Sequence, residues 1–182
     1  MTRSDAEALV ADVKARAARV LVEDGHHTPL MILLPSVSGP PPVLLALGAM
    51  MTSEAAKAVG MAAVREAVRA TRPAGVVSVL ESWVSQRPKV VGGDEPGLGG
   101  VLKPRDDPGR REALVVVWEF RLDGESAVWE GMWQQFFRHV HGGEAVALDE
   151  VVEAITGEGG VRLAGQFCGL LGGDADSGRI PS

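Results

Sequence analysis

Two runs rich in valine and aromatic residues restrict what this chain can fold into. They are residues 113–122, ALVVVWEFRL, and residues 75–84, GVVSVLESWV. Both are too short to cross a bilayer, and glycine, proline or charged residues bound each of them, which is typical of β-strands. Because such apolar strands need burial, we expect them to lie near each other at the centre of one sheet.

The length and composition predict one domain. The chain has 182 residues, of which 46% are hydrophobic and 23% charged, and these values favour a proper core over disorder. The net charge of −6 disfavours nucleic acid as a partner. Cys168 is the only cysteine, so a reducing compartment fits. Neither a signal-peptide pattern nor a long apolar run is present, and we expect a cytoplasmic protein or a virion component with no membrane segment.

The first half of the chain predicts a helix, a β-hairpin and a second helix. Residues 4–7, SDAE, fit a capping box, and an apolar stripe at helical spacing follows until Gly25. Residues 29–35 and 43–47 are apolar runs joined by a proline-rich turn, which indicates paired strands buried on both faces or at an interface. Thr52 or Ser53 begins the second helix, which ends near residue 70.

The ends of the two central strands carry a recognisable pattern. Glu81-Ser82-Trp83 ends one strand, and residues 104–114, PRDDPGRREAL, lead into the other. This pattern resembles one in a group of bacterial and phage proteins of unknown activity, with Ser82 and Arg105 as departures. The resemblance implies neither a reaction nor a cofactor. It implies a polar cluster of five residues: Glu81, Trp83, Asp107, Arg110 and Glu112.

We interpret this cluster as a structural latch rather than a catalytic site. The guanidinium of Arg110 can form two parallel hydrogen bonds with a carboxylate such as that of Glu81, and so tie the loop to the sheet. Pro108 would fix the turn before it. The loop itself, residues 86–111, is rich in glycine and proline, and a connection of this length is either functional or mobile.

The second half of the chain is harder to interpret. Residues 127–140 fit a helix or a strand, and the preceding Asp123-Gly124 turn favours a returning strand. Residues 145–155 and 161–171 predict two helices, and residues 172–182 a flexible tail. The predicted fold is therefore α+β, with element order αββαββ(β)αα. It has one antiparallel sheet of four to five strands packed against the two N-terminal helices, in a single domain over residues 1–171.

Large aromatic residues suggest an interaction surface. Trp118, Trp129 and Trp133 lie close together in the sequence, followed by Phe137. Tryptophan is favoured at interface hot spots as well as in cores, and we expect that not all three are internal. These four rings are therefore our predicted interface residues. The leading hypothesis is a non-catalytic interaction or structural protein of a bacterial or phage system, which binds a protein partner or itself.

A small metal-dependent hydrolase is the alternative. Glu81 as the base, with His139 and His141 as ligands on one face of a strand, resembles part of the JAMM metallopeptidase pattern. That family places a serine and then an aspartate where this chain has Asp149 and Val152, so the third zinc ligand is missing. The chain has neither a dinucleotide fingerprint nor a phosphate-binding loop, and we predict no cofactor.

Overall fold

The computed structural model describes residues 1–35, 41–84, 109–143, 145–155, 167 and 169–171. In this part of the chain the fold is α+β, with two α-helices and one antiparallel sheet of six strands. This confirms the predicted fold class, although the sheet has six strands and not the predicted four to five. The helices are α1 (Arg3–Asp24) and α2 (Glu54–Thr71). The strands are β1 (Leu30–Leu34), β2 (Val43–Ala46), β3 (Gly75–Val84), β4 (Arg111–Arg121), β5 (Val128–Val140) and β6 (Ala145–Ile155).

The order of strands in the sheet is β2-β1-β3-β4-β5-β6. The two apolar runs, β3 and β4, are neighbours in the middle of the sheet, as predicted, and they pair from Gly75 opposite Phe120 to Val84 opposite Arg111. The predicted hairpin of β1 and β2 is also confirmed. Residues 128–140 form the returning strand β5 that the turn before them favours.

The two helices cover opposite faces of the sheet. On the first face, α1 buries its apolar stripe against β3, β4 and β5, with Ala6, Val10, Val13, Ala17 and Leu21 at the contact. On the second face, α2 buries Met61, Val64 and Val68 against β1 and β3.

The predicted capping box of α1 is displaced by two residues: Thr2 accepts the Asp5 N–H, and the Asp5 carboxylate accepts the Thr2 N–H. Among the residues that the structure describes, no helix is long and apolar enough to cross a membrane.

The predicted helix over residues 145–155 is wrong, because these residues form the strand β6. Gly142 and Gly143 have φ angles of 71° and 101°, which glycine adopts readily, and they turn the chain back directly after β5. Val140 then pairs with Ala145, and the ladder continues to Gly131 opposite Ile155. The open edge of β5 therefore determines the structure of a segment whose valines favour strands.

Parts of the remaining predictions fall outside the described residues. These parts are most of the loop 86–111, most of the predicted last helix 161–171, and the tail 172–182. Phe167 and Leu171 are described, and both are buried with the apolar residues of α2. The hairpin strand β2 is not buried on both faces: it is the outermost strand on its side, and Val43 and Leu44 are exposed.

Candidate functional site

The aromatic residues predicted to form an interface lie in the core. Trp118, Trp129, Trp133 and Phe137 are 1%, 6%, 8% and 3% exposed. The expectation that not all three tryptophans are internal is therefore wrong. Alternation along β4 and β5 points all four side chains to the first face, where α1 covers them.

Cationic side chains of α1 lie on this aromatic cluster. The ring centroids of Trp118 and Trp129 are 5.7 Å apart. The ammonium of Lys14 lies 4.6 Å from the Trp118 ring centre, and the guanidinium of Arg3 lies 5.3 Å from that of Trp129. Lys14 also forms an ion pair with Glu153 of β6 at 2.5 Å. These contacts join α1 to three strands and make the cluster a structural centre of the fold.

Three residues of the predicted polar cluster do meet, at one end of the first face. Trp83 and Glu112 are directly opposite each other on β3 and β4. The guanidinium of Arg110 lies 4.8 Å from the Trp83 ring centre, and Glu112 lies 3.7 Å from the imidazole Nε2 of His139. Asp107, the remaining loop member, lies outside the described residues. The cluster is partly exposed and joins three neighbouring strands, which fits a stabilising role.

The predicted bond between Arg110 and Glu81 is not formed. The Glu81 carboxylate accepts the backbone N–H of His27, and so ties the chain after α1 to β3. No ion pair joins Glu81 to Arg110, both of which are described residues. His27 is buried beside this contact, and desolvation lowers the pKa of its imidazole, which favours the neutral form.

Glu81 and His139, two of the three residues of the alternative metal site, do not lie together. Glu81 is opposite Leu114, which is opposite Gln135, and His139 lies four residues further along β5. Two strand spacings and four residues of strand separate Glu81 from His139, which is roughly 16 Å. The side chain of His141 is not among those described. Within the described residues, no group of three or more metal-ligating side chains could hold a metal ion.

The outer edge of β6 exposes apolar side chains. β6 is the last strand of the sheet, and within the described residues no other strand pairs with its outer edge. Leu148, Val151 and Val152 are 42%, 51% and 46% exposed. The sequence predicted a helix over residues 145–155, so it could not identify a strand edge there.

A β-bulge divides this edge. Val151 is opposite Gln135 and Leu148 is opposite Phe137, so two residues of β6 oppose Phe136 alone. The buried amide of Gln135 holds the bulge: its nitrogen lies 3.1 Å from the carbonyl oxygens of Phe136 and Asp149 and 3.3 Å from that of Glu150. The shift places Leu148 and Val151 on the first face together, although they are three residues apart.

The acidic residues of the bulge are paired within the chain. Arg111 donates to the Asp149 carboxylate at 3.0 Å and to that of Glu150, and its guanidinium lies 4.5 Å from the Phe136 ring centre. Arg138 lies 3.5 Å from Asp149. Cations from β4 and β5 therefore balance the negative charge of β6, and the edge combines exposed apolar side chains with little net charge.

Comparisons with protein-family models, with curated proteins and with solved structures find no significant match for this chain.

Proposed function

We propose that this protein is a non-catalytic interaction protein, and that it binds an extended segment of a protein chain along the outer edge of β6. The observation that carries the proposal is the exposure of Leu148, Val151 and Val152 on the last strand of the sheet. An added strand satisfies the outward N–H and C=O groups of an edge strand, and contacts to its side chains give specificity. The bacterial or phage setting rests on the sequence resemblance alone.

The construction of β6 supports this role. Natural edge strands avoid association by being short, by carrying charges, or by bulges that twist the edge away. β6 has 11 residues, and its bulge is one such device. The charges of Asp149 and Glu150 are balanced by Arg111 and Arg138, so they oppose an incoming strand less than free carboxylates would. The bulge is confined to Asp149 and Glu150, and Leu148 on one side of it and Val151 and Val152 on the other remain exposed.

The same features define the chemistry of the partner. On the first face, Leu148 and Val151 offer apolar contact, and Val152 does so on the second face. A segment with apolar residues on both faces fits this edge better than a strongly basic one, because the acidic side chains already have partners. A second copy of this chain is one such partner.

The test combines light scattering with peptide selection. The wild type, Leu148→Lys and Val151→Lys are compared with Val59→Lys, a matched control because Val59 is 73% exposed on α2, away from β6. We expect the wild type and the control to self-associate or to select apolar, β-favouring peptides from a displayed random library. The β6 variants should weaken that binding by about 2 kcal/mol, which is roughly 30-fold in Kd.

The three variants should retain the wild-type melting temperature within a few degrees, since each substitution is at an exposed position. The proposal fails if the wild type stays monomeric and selects no peptide. It also fails if binding occurs but is unchanged in both β6 variants.

A further inference from the structure

The side chains of β6 are nearly symmetric about its bulge. The first residues on either side of the bulge are Leu148 and Val151, and both are exposed on the first face. The next residues outward are Ala147 and Val152, and both lie on the second face. Residues at equal distances from the bulge therefore lie on the same face, and these two pairs are apolar throughout.

This symmetry makes β6 complementary to a second copy of itself. When two copies of one strand pair antiparallel about a two-fold axis, a residue i lies opposite a residue j, and j lies opposite i. With the axis at the bulge, Leu148 of each copy lies opposite Val151 of the other, and Ala147 lies opposite Val152. Side chains directly opposite each other have Cβ atoms about 4.5–5.5 Å apart, so both apolar pairs are in contact. The outer pairs in this register are Val146 with Glu153 and Ala145 with Ala154.

The charges near this axis are balanced within each copy. The carboxylates of Asp149 and Glu150 from both copies meet there, and like charges across a strand pair destabilise it. Each copy also brings two guanidinium groups: Arg111 donates to both carboxylates, and Arg138 lies 3.5 Å from that of Asp149. Farther from the axis, Glu153 forms an ion pair with the lysine of α1 in its own chain. A second copy therefore meets little uncompensated charge.

The opposite edge of the sheet offers a poorer contact to a second copy. β2 has 4 residues, whereas β6 has 11. A contact between β6 of one copy and β2 of the next would be heterologous, so each added copy would present the same two edges again. Pairing of β6 with β6 has a longer ladder and closes after two copies.

We propose that the partner of the β6 edge is a second copy of this chain, in a dimer whose two-fold axis passes through the bulge and whose sheet is continuous. This inference rests on the proposed function, because it assigns the occupant of the same edge. A contact made by one strand pair lies at the small end of the range for specific interfaces, below about 1,200 Å² of total buried surface. The dimer therefore dissociates in the micromolar range.

Sedimentation velocity measures the self-association. We expect the wild type to change from monomer to dimer between about 1 and 200 μM, with no larger species. Arg138→Gln removes one cation per copy from the axis and should raise the Kd about threefold at low salt, and less at about 0.5 M salt. Arg69→Gln is the matched control, because Arg69 is similarly exposed and paired with Glu66 on α2, and it should leave the Kd unchanged.

Disulfide trapping tests the register. Leu148→Cys and Val151→Cys are prepared separately in a Cys168→Ser background and oxidised mildly, alone and as an equal mixture. Directly opposite Cβ atoms are close to the roughly 3.8 Å that a disulfide needs, whereas Leu148 and its own copy are diagonal neighbours at about 7–8 Å. The mixture should therefore give at least about fivefold more linked dimer than either variant alone.

The outcomes separate this inference from the proposed function. A wild type that stays monomeric at every concentration but selects apolar peptides through β6 overturns the dimer and leaves the proposed function intact. A wild type that does neither overturns both. Species larger than a dimer, equal effects of Arg138→Gln and Arg69→Gln on the Kd, or linkage that is as strong in either cysteine variant alone as in the mixture would overturn the two-fold arrangement.

Discussion

A single added methyl group at Gly131 should destabilise the fold strongly. Gly131 is directly opposite Trp118 in the sheet. A Cβ atom at this position would lie 2.8 Å from Cη2 of that ring, 2.5 Å from Cε2 and closer still to Cζ2. Favourable carbon–carbon contacts are about 3.5–4.0 Å, so the ring would have to move by about 1 Å or more.

The magnitude follows from what surrounds the ring. Trp118 is 1% exposed under α1, 5.7 Å from the ring centre of Trp129 and in contact with the ammonium of Lys14. Overpacking a core typically costs 1–3 kcal/mol. Since this ring has packed neighbours on every side, we expect Gly131→Ala to cost about 3 kcal/mol. For a domain of this size that corresponds to a fall in Tm of roughly 6–12 °C.

Urea unfolding of a mutant cycle provides the measurement. Gly48→Ala is the control, because a Cβ there meets nothing within 4 Å, and it should change the free energy of unfolding by less than about 0.5 kcal/mol. In a Trp118→Leu background, which removes the indole, Gly131→Ala should be neutral or slightly stabilising, by about 0.5 kcal/mol. A cost below about 1 kcal/mol in the wild type, or an equal cost in both backgrounds, would show that the contact with Trp118 is not what requires glycine.

Two further outcomes concern His27 and Gln135. Burial lowers the pKa of His27, so the stability that its neutral form provides is present above about pH 6.5 and is lost as the pH falls below that value. The free energy of urea unfolding, measured from pH 8 to pH 5, should therefore fall in the wild type and in the exposed-site control His26→Gln. It should fall less in His27→Gln. Gln135→Leu leaves the carbonyl oxygens of the bulge without their donor and should lower the free energy of unfolding by about 1–3 kcal/mol. An equal decrease in the half-exposed control Gln134→Leu would contradict this role of Gln135.

The central part of the fold could be predicted because its signals are local. The valine-rich runs of β3 and β4 lie between breakers, and Gly25 ends α1 in the left-handed conformation that glycine favours. The aromatic cluster could not be predicted in the same way. Whether Trp118 is internal depends on Gly131 across the sheet and on the position of α1 above it, and both are properties of the tertiary structure.

The polar cluster was predictable only in part, for a similar reason. Trp83, Arg110 and Glu112 of the motif lie together, because β3 and β4 are consecutive strands that pair at these positions. Glu81 has a different partner, the backbone of His27, which lies 54 residues away in the sequence. No local pattern indicates that contact, since it depends on where α1 ends above the sheet.

The bulge in β6 explains both why residues 145–155 resemble a helix in the sequence and why the edge of this strand exposes apolar side chains. In a regular strand, Leu148 and Val151 would point to opposite faces, because side chains alternate. The bulge adds a residue between them and restores both to the first face, so a three-residue spacing that indicates a helix arises within a strand. The donor of Gln135 and the ion pairs of Arg111 hold the bulge and balance its charges. The three-residue spacing of Leu148 and Val151, which indicates a helix in the sequence, is therefore the spacing that places both exposed side chains on one face of β6.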